Sequence, residues 1–253
     1  IRTIHAALDA GVTLIDTADA YCLGGDEAGH NERLIRKALD AWPGDRDRVL
    51  VATKGGHTRH GKEWALDGRP EHLRSACEAS LARLGVEAIG LFQHHRPDPE
   101  VDYADTMGGL KALVDAGLVV RAGISNADPA QIRLAREILG EALVSVQNEF
   151  SPRFRSSLPE LELCDELGLA FLPWSPLGGM SQAGELGDRF GVFAEVAAAH
   201  EASPQQVALA WELAQSPVVI PIPGASRVAS VRDSVAACDL VLSPDELDRL
   251  DAA

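Results

Sequence analysis

The sequence lacks any long apolar run and any concentration of positive charge. No stretch approaches the roughly 18 apolar residues that a membrane-spanning helix needs, and no basic segment leads into an apolar one as in a secretion signal. The 253 residues include 38 acidic and 23 basic side chains, for a formal net charge of -15. An average surface of this sign repels nucleic acid and anionic membranes, although it is compatible with a local basic pocket for one phosphate. We therefore expect a cytoplasmic protein without nucleic-acid or membrane partners.

Cysteine is also scarce. The four cysteines, Cys22, Cys77, Cys164 and Cys238, lie far apart and form neither a C-x-x-C pair nor a zinc-binding spacing. Such a distribution is typical of reduced thiols in a cytosolic protein and requires no redox role for them.

The sequence does contain a regular alternation of helical and extended segments. Apolar runs predict seven strands, at residues 12–15, 49–53, 89–93, 119–124, 143–146, 169–173 and 218–222. Near-continuous apolar strands separated by helices indicate a parallel sheet covered by helices. The number of repeats favours one α/β domain over residues 1–253, a TIM-type (β/α)8 barrel whose first strand would have to precede Ile1. An open doubly wound sheet is the alternative, but the G-x-G-x-x-G turn typical of it is absent.

Polar side chains follow most of the predicted strands. In a barrel, ligand-binding and catalytic residues lie at the carboxyl ends of the strands. Here that end would carry Asp16, Lys54, His95, Ser125, Asn126, Gln147 and Trp174. Tyr21 follows Asp16 by five positions and would lie on the turn above the same strand end.

Tyr21 becomes a candidate proton donor if a cation lies beside it. An isolated phenol titrates near ~10 and is a poor acid at neutral pH. The charge of Lys54 would make the phenol more acidic, and Asp16 would neutralise and orient the lysine. His95 could donate a hydrogen bond to a substrate carbonyl and orient it. The alternatives are an Asp16–Lys54 ion pair that only braces two strands and a histidine with a structural role.

The histidines do not suggest a metal site. His94 and His95 are adjacent on a predicted strand, where neighbouring side chains point to opposite faces, so the two would not bind one ion easily. His57 and His60, between glycines, predict a solvated loop.

Several runs of this sequence resemble the aldo-keto reductases, and the likeness extends from Gly11 to the last helix. Three of them contain candidate catalytic residues: the run from Gly11 to Tyr21, the strand from Val51 to Lys54, and the run from Leu91 to Asp98. The others follow in the order expected for the family's cofactor segments, at residues 123–126, 146–149, 174–178 and 222–227.

The resemblance implies a catalytic tetrad of Asp16, Tyr21, Lys54 and His95. His95 is chosen over His94 because the family's histidine directly precedes the Arg-Pro-Asp run, and an apolar residue normally occupies the position of His94. The family transfers a hydride from NADPH to an aldehyde or ketone, or catalyses the reverse oxidation, with the tyrosine as general acid. The implied partner is a small carbonyl compound.

The resemblance also implies a set of cofactor-binding residues. Ser125, Asn126 and Gln147 would hold the nicotinamide carboxamide, and Trp174 would stack on the nicotinamide ring, within the segment formed with Ser175, Pro176, Leu177 and Gly178. The adenosine end would contact Gly224, Ser226, Arg227, Ser230, Asp233 and Ser234, with Ser226 and Arg227 suited to the 2'-phosphate of NADP. Family members often carry longer side chains at the last three of these positions, so NAD is kept as the alternative cofactor.

Two other functions fit the same residues. A cofactor-binding regulatory subunit with weak catalysis could share this fold and tetrad, and a barrel aldolase or isomerase could use Lys54 as a Schiff base. The family's first barrel strand and floor hairpin have no counterpart in this sequence, so we expect either a preceding segment or another way of closing the barrel.

Overall fold

The computed structural model describes residues 1–22, 28–61, 63–179, 184 and 186–253. Two compact units are present, Ile1–Gln147 and Asn148–Ala253. The single-domain organisation stays a prediction.

Helices and strands alternate in the first unit. Its described elements are α1 (Arg2–Asp9), β1 (Leu14–Asp16), α2 (His30–Ala41), β2 (Leu50–Gly55), β3 (His57–His60), β4 (Glu63–Leu66), α3 (Pro70–Leu84), β5 (Leu91–His94), α4 (Tyr103–Asp115), β6 (Ala122–Ser125), α5 (Pro129–Leu139) and β7 (Leu143–Gln147). Strands β1, β2, β5, β6 and β7 are neighbours in that order, and each of these pairings is parallel. The parallel sheet predicted from the apolar runs is confirmed for this unit.

The sheet register brings polar strand ends to one edge. Lys54 of β2 lies opposite Gln93 of β5, and Ser125 of β6 lies opposite Gln147 of β7. The carboxyl ends of parallel strands lie on the same side of a sheet, which is where ligands bind in α/β proteins. The register therefore assembles side chains that are far apart in the sequence.

Short local signals set the helix boundaries. Helix α5 begins with a capping box in which the Asp128 side chain accepts from the Gln131 backbone N–H, and Pro129 follows at the first helical position. Helix α3 ends at Gly85, whose φ of 66° is a left-handed conformation that favours glycine. Leu73 of α3 and Leu110 of α4 are fully buried, as is Phe92 of β5, so the helices cover the sheet with apolar side chains.

Strands β3 and β4 correct the prediction of a solvated loop around His57 and His60. They form an antiparallel hairpin in which His57 pairs with Leu66 and Arg59 with Trp64. The sequence signal was weak because polar and charged residues interrupt the apolar alternation that marks a strand.

The second unit contains mainly helices. Its described elements are α6 (Leu158–Leu167), β8 (Ala170–Phe171), α7 (Leu186–Arg189), α8 (Gly191–Ala199), α9 (Pro204–Gln215), α10 (Val228–Ala236) and α11 (Pro244–Asp251). The strand predicted at 218–222 is reduced to one parallel bridge, between Phe171 and Val219. Pro221 and Pro223 supply no N–H groups, which prevents a regular ladder there.

An aromatic cluster forms the core of the second unit. The rings of Phe150 and Trp211 stack at 5.5 Å, and Phe193 packs edge-on to Trp211. The Arg155 guanidinium lies 4.8 Å from the centre of the Trp211 ring and donates to the carbonyls of Leu250 and Asp251 at the end of α11. These contacts attach the last helix to the core of this unit. None of the helices in the described ranges has the length and apolar character needed to cross a bilayer.

Candidate active site

Lys54 is at the centre of the candidate site. It lies near the end of β2, and its side chain is fully buried. The ammonium Nζ donates to Asp16 Oδ2 at 2.5 Å, to the Thr17 carbonyl at 2.8 Å and to the Tyr21 hydroxyl at 3.4 Å. Because an ammonium has three donors, these contacts use all of them and fix the charge beside the phenol.

Two amides hold the second oxygen of the Asp16 carboxylate. Gln93 Nε2 donates to Asp16 Oδ1 at 3.1 Å, and Gln147 Nε2 donates to the same oxygen at 2.9 Å. Asp16 is thus oriented from three strands of the sheet.

The charge on Lys54 is stabilised where it lies. Burial alone would lower the pKa of the Lys54 ammonium, but the Asp16 charge, with contributions from Tyr21, outweighs burial and raises that pKa above its ordinary value. Lys54 is therefore a cation at neutral pH. The Tyr21 side chain is partly open to solvent, with 36% of its surface exposed.

His95 lies on the other side of the phenol. Its ring centre is 5.7 Å from that of Tyr21, edge to face, and its backbone N–H donates to the Gly55 carbonyl at 2.9 Å. Burial, followed by the charge of Lys54, lowers the pKa of His95 to about 2. The imidazole is consequently neutral at physiological pH and has one N–H to donate.

His94 is directed away from this cluster. Its ring lies 6.0 Å from that of Tyr103 on α4, and burial lowers the pKa of His94 to about 4. The two adjacent histidines therefore have different surroundings, as strand geometry requires.

The residues after β6 lie next to His95. Asn126 Nδ2 donates to the His95 carbonyl at 2.9 Å and to Ser125 Oγ at 3.0 Å. Ser125 Oγ in turn donates to the Gln147 carbonyl at 2.7 Å. Asn126 has a φ of 58°, and Arg96 donates to its side-chain oxygen at 3.0 Å. The side-chain amide of Asn126 is thus held through both its nitrogen and its oxygen. Together with the strained left-handed backbone, these contacts fix the Asn126 side chain beside the cluster.

The sequence reasoning missed several residues of this network. Gln93 is two positions before His95, so the two-residue period of a strand places both on one face and could have identified it. Glu32 of α2 is fully buried, where it accepts from Thr53 Oγ1 at 2.6 Å and pairs with Arg83 of α3. Only the tertiary structure reveals that ion pair.

Asp19 connects the Glu32 pair to the candidate site. Its backbone N–H donates to the Lys54 carbonyl at 3.2 Å. Burial, reinforced by the charge of Glu32, raises the pKa of the Asp19 carboxyl to about 7, against the opposing charges of Arg83 and Lys54. The loop that leads from Asp16 to Tyr21 thus contains a carboxyl that titrates near neutral pH.

In the second unit, the predicted segment 174–178 forms a tight turn. The Trp174 backbone N–H donates to the Asn148 carbonyl at 3.0 Å, and that of Gly178 donates to the Ser175 carbonyl at 2.8 Å. Ser175 has a φ of 53°. Pro176 is buried, whereas Trp174 and Leu177 are partly exposed.

The predicted adenosine-binding residues lie before and within α10. Gly224, Ser226 and Arg227 are exposed, and α10 begins after Arg227 without a side-chain cap. Asp233 accepts from Ser203 Oγ at 2.8 Å and from Gln206 Nε2 at 2.6 Å, which ties α10 to the start of α9. Ser230 and Ser234 are partly buried.

Parallel strands covered by helices, with lysine, aspartate, tyrosine and histidine gathered at the strand ends, form the kind of site found in α/β enzymes of the barrel class. The model of the aldo/keto reductase family matches residues 1–253, and the chain belongs to this family.

Individual relatives agree with this membership. An uncharacterized oxidoreductase of Schizosaccharomyces pombe is 36% identical over 254 residues, which cover 99% of this chain and 78% of the relative. A thermostable aldo-keto reductase crystallised with the inhibitor epalrestat superimposes with a TM-score of 0.82 at 29% identity, covering 99% of this chain and 85% of that one. An aldo/keto reductase of Klebsiella pneumoniae, in complex with NADP and acetate, gives a TM-score of 0.82 at 26% identity, with coverages of 99% and 83%. The predicted barrel fold class and the assignment as an oxidoreductase are confirmed.

Proposed function

We propose that this enzyme reduces an aldehyde or ketone to an alcohol with NADPH, or catalyses the reverse oxidation, and that Tyr21 is the general acid. The observation that carries the proposal is the 3.4 Å contact between the Tyr21 hydroxyl and the buried, charged Nζ of Lys54. A cation at this distance stabilises the phenolate that remains after the proton has left.

The other residues of the cluster have supporting roles in the proposed reaction. NADPH supplies the hydride when it is bound. Tyr21 donates its proton to the carbonyl oxygen, while Lys54 stabilises the resulting phenolate and Asp16 holds Lys54 in place. The neutral His95 donates a hydrogen bond to the same carbonyl oxygen and orients it. Solvent protons then restore the partly exposed phenol.

The cofactor-binding assignments are proposals made from each unit separately. In the first unit, Ser125, Asn126 and Gln147 would bind the nicotinamide carboxamide. Gln147 donates an amide N–H to Asp16, so its side-chain oxygen would accept the hydrogen bond from the carboxamide. In the second unit, Trp174 would stack on the nicotinamide ring, within the turn made with Ser175, Pro176, Leu177 and Gly178.

The adenosine end of the cofactor is assigned to residues of α10 and the segment before it. The uncapped start of α10, next to the exposed Ser226 and Arg227, suits the 2'-phosphate of NADP. Gly224, Ser230, Asp233 and Ser234 would complete this part, with NAD as the alternative cofactor. The NADP complex of the Klebsiella enzyme supports the preference for the phosphorylated form.

The Lys54 environment disfavours the Schiff-base alternative. A nucleophilic lysine must be neutral, whereas Asp16 raises the pKa of Lys54 above its ordinary value and three acceptors surround the ammonium. A measurement of turnover distinguishes an enzyme from the alternative, a regulatory subunit with weak catalysis.

A Tyr21→Phe variant tests the acid. Removing the hydroxyl deletes the proton donor but keeps the ring, so kcat should fall by about 10²–10⁴-fold. NADPH affinity, measured from quenching of tryptophan fluorescence, should stay near the wild-type value. Turnover of Tyr21→Phe at the wild-type rate would refute the assignment, and a wild-type protein that binds NADPH without turnover would favour the regulatory subunit.

A further inference from the structure

One face of the β3–β4 hairpin is aromatic and cationic. The register pairs Arg59 with Trp64 and His57 with Leu66, and alternation along a strand puts these four side chains on the same face. The Arg59 guanidinium lies 4.2 Å from the centre of the Trp64 ring, a cation–π contact that holds the indole in place.

This face of the hairpin lies against His95. The ring of His57 is 4.3 Å from that of His95, and the ring of Trp64 is 6.5 Å from it. Tyr21 contacts His95 from another side at 5.7 Å. The rings of His57 and Trp64 are 5.2 Å apart, so Tyr21, His95, His57 and Trp64 form a cluster of rings that meet edge to face and include the proposed acid.

Trp64 is the most exposed ring of this cluster. It leaves 49% of its surface exposed, although an indole gains free energy by burying its apolar area. The neighbouring His95 is 9% exposed and Lys54 is fully buried. An aromatic surface is thus presented to solvent next to the buried polar groups.

We propose that the β3–β4 hairpin is a wall of the substrate pocket and that Trp64 is a specificity-determining residue that selects carbonyl compounds with a planar aromatic ring. This proposal rests on the proposed reduction by Tyr21 and His95. With the carbonyl oxygen at Tyr21 and His95, the ring of the substrate lies over the hairpin face and covers the exposed indole. A small aliphatic aldehyde does not reach Trp64 and gains nothing from it.

The test compares benzaldehyde with propanal in the wild type, Trp64→Leu and Trp64→Phe. Leucine keeps an apolar side chain but removes the aromatic one, so kcat/KM for benzaldehyde should fall about tenfold, mainly through KM, while that for propanal should change less than about twofold. Phenylalanine should restore most of the benzaldehyde value. Trp42→Leu, which removes a tryptophan whose Nε1 donates to Asp9 at 2.8 Å, is the matched control and should leave the ratio of the two kcat/KM values unchanged.

Each contrary result has a separate meaning. An unchanged ratio in Trp64→Leu, or an equal loss for both aldehydes, overturns the specificity role of Trp64 while leaving the proposed reduction in place. If Trp64→Leu does not fold, Trp64→Gln, which also lacks an aromatic ring, takes its place, and an unchanged ratio in that variant overturns the role as well. A wild-type protein that binds NADPH but reduces neither aldehyde overturns this inference; the proposed function fails only when a wider set of aldehydes, ketones and alcohols also gives no turnover with the cofactor.

Discussion

Burial makes the charge state of Asp19 sensitive to pH near neutrality. Burial and Glu32 raise the pKa of Asp19 to about 7 from an ordinary value of 3.8. The native protein therefore binds this proton more tightly than the unfolded chain does. Between about pH 4 and pH 7 the native state carries more of the proton, so this group lowers the free energy of unfolding as the pH rises through that window. Above about pH 7 the Asp19 carboxylate is charged in both states, and its full reduction of the free energy of unfolding is present.

An Asp19→Asn variant removes the destabilisation caused by the buried Asp19 carboxylate. At about pH 8 its free energy of unfolding should exceed that of the wild type by about 4 kcal/mol, since the pKa shift from 3.8 to about 7 corresponds to about 1.36 kcal/mol for each unit, and the difference should vanish near pH 4. Urea unfolding at several pH values measures it. Asp115→Asn, in an exposed i,i+4 pair with Lys111, is the control and should change stability little. A variant less stable than the wild type at about pH 8 contradicts the assignment.

At the scale of elements, Arg155 links separate helices of the second unit. It joins the segment before α6 to the carbonyl end of α11 and lies over Trp211 of α9. Trp211 Nε1 also donates to Asp251 Oδ1 at 2.7 Å, so both partners hold the same helix end. Cations at helix C-termini are favourable because the last carbonyls have no partners within the helix.

Replacing Arg155 by Met should release α11. Two hydrogen bonds to carbonyls of α11, a third to the Pro152 carbonyl and a cation–π contact are lost, and the expected cost is about 1–3 kcal/mol of unfolding free energy. Amide hydrogen exchange in residues 244–251 should accelerate more than exchange in α9. Arg153→Met, at an exposed position two residues earlier, should change neither quantity; the same protection of α11 in both variants would contradict this role.

The elements also define what the sequence could predict. Strands β1, β2, β5, β6 and β7 were predictable because an apolar run followed by polar residues is the pattern of a buried parallel strand. The hairpin was not, since polar and charged residues interrupt its apolar alternation, and the contacts of His57 and Trp64 with His95 join parts of the chain that are far apart in the sequence. The Glu32–Arg83 pair was equally hidden, because no local pattern distinguishes a buried glutamate on a helix from an exposed one.

For the whole molecule, the dominant property is the charge of -15. Like charges spread over a compact chain repel one another, and dissolved salt screens this repulsion over about 10 Å at 0.1 M. Most of the ion pairs found among the described residues have at least one exposed partner and contribute little to stability, so their loss in salt is a small opposing effect.

Added salt should therefore stabilise the protein. Raising NaCl from about 10 to 200 mM should increase Tm by a few degrees, measured by differential scanning fluorimetry. Choline chloride at the same ionic strength should give the same increase, because screening does not depend on which cation is present. A decrease in Tm with both salts would indicate that favourable ion pairs outweigh the net repulsion.

The β3–β4 hairpin has a consequence for how the enzyme can diversify. Its two strands pair with each other, and neither takes part in the described parallel pairings of the first unit. Changes in its length or composition therefore leave the β2–β5 register, and with it the Lys54 and Asp16 geometry, in place. Selection for a new substrate can act on the hairpin while the proposed proton-transfer groups stay fixed, and directed evolution that randomises residues 58–66, and keeps His57 because its ring contacts His95, should yield altered substrate ranges without rebuilding the proposed catalytic cluster.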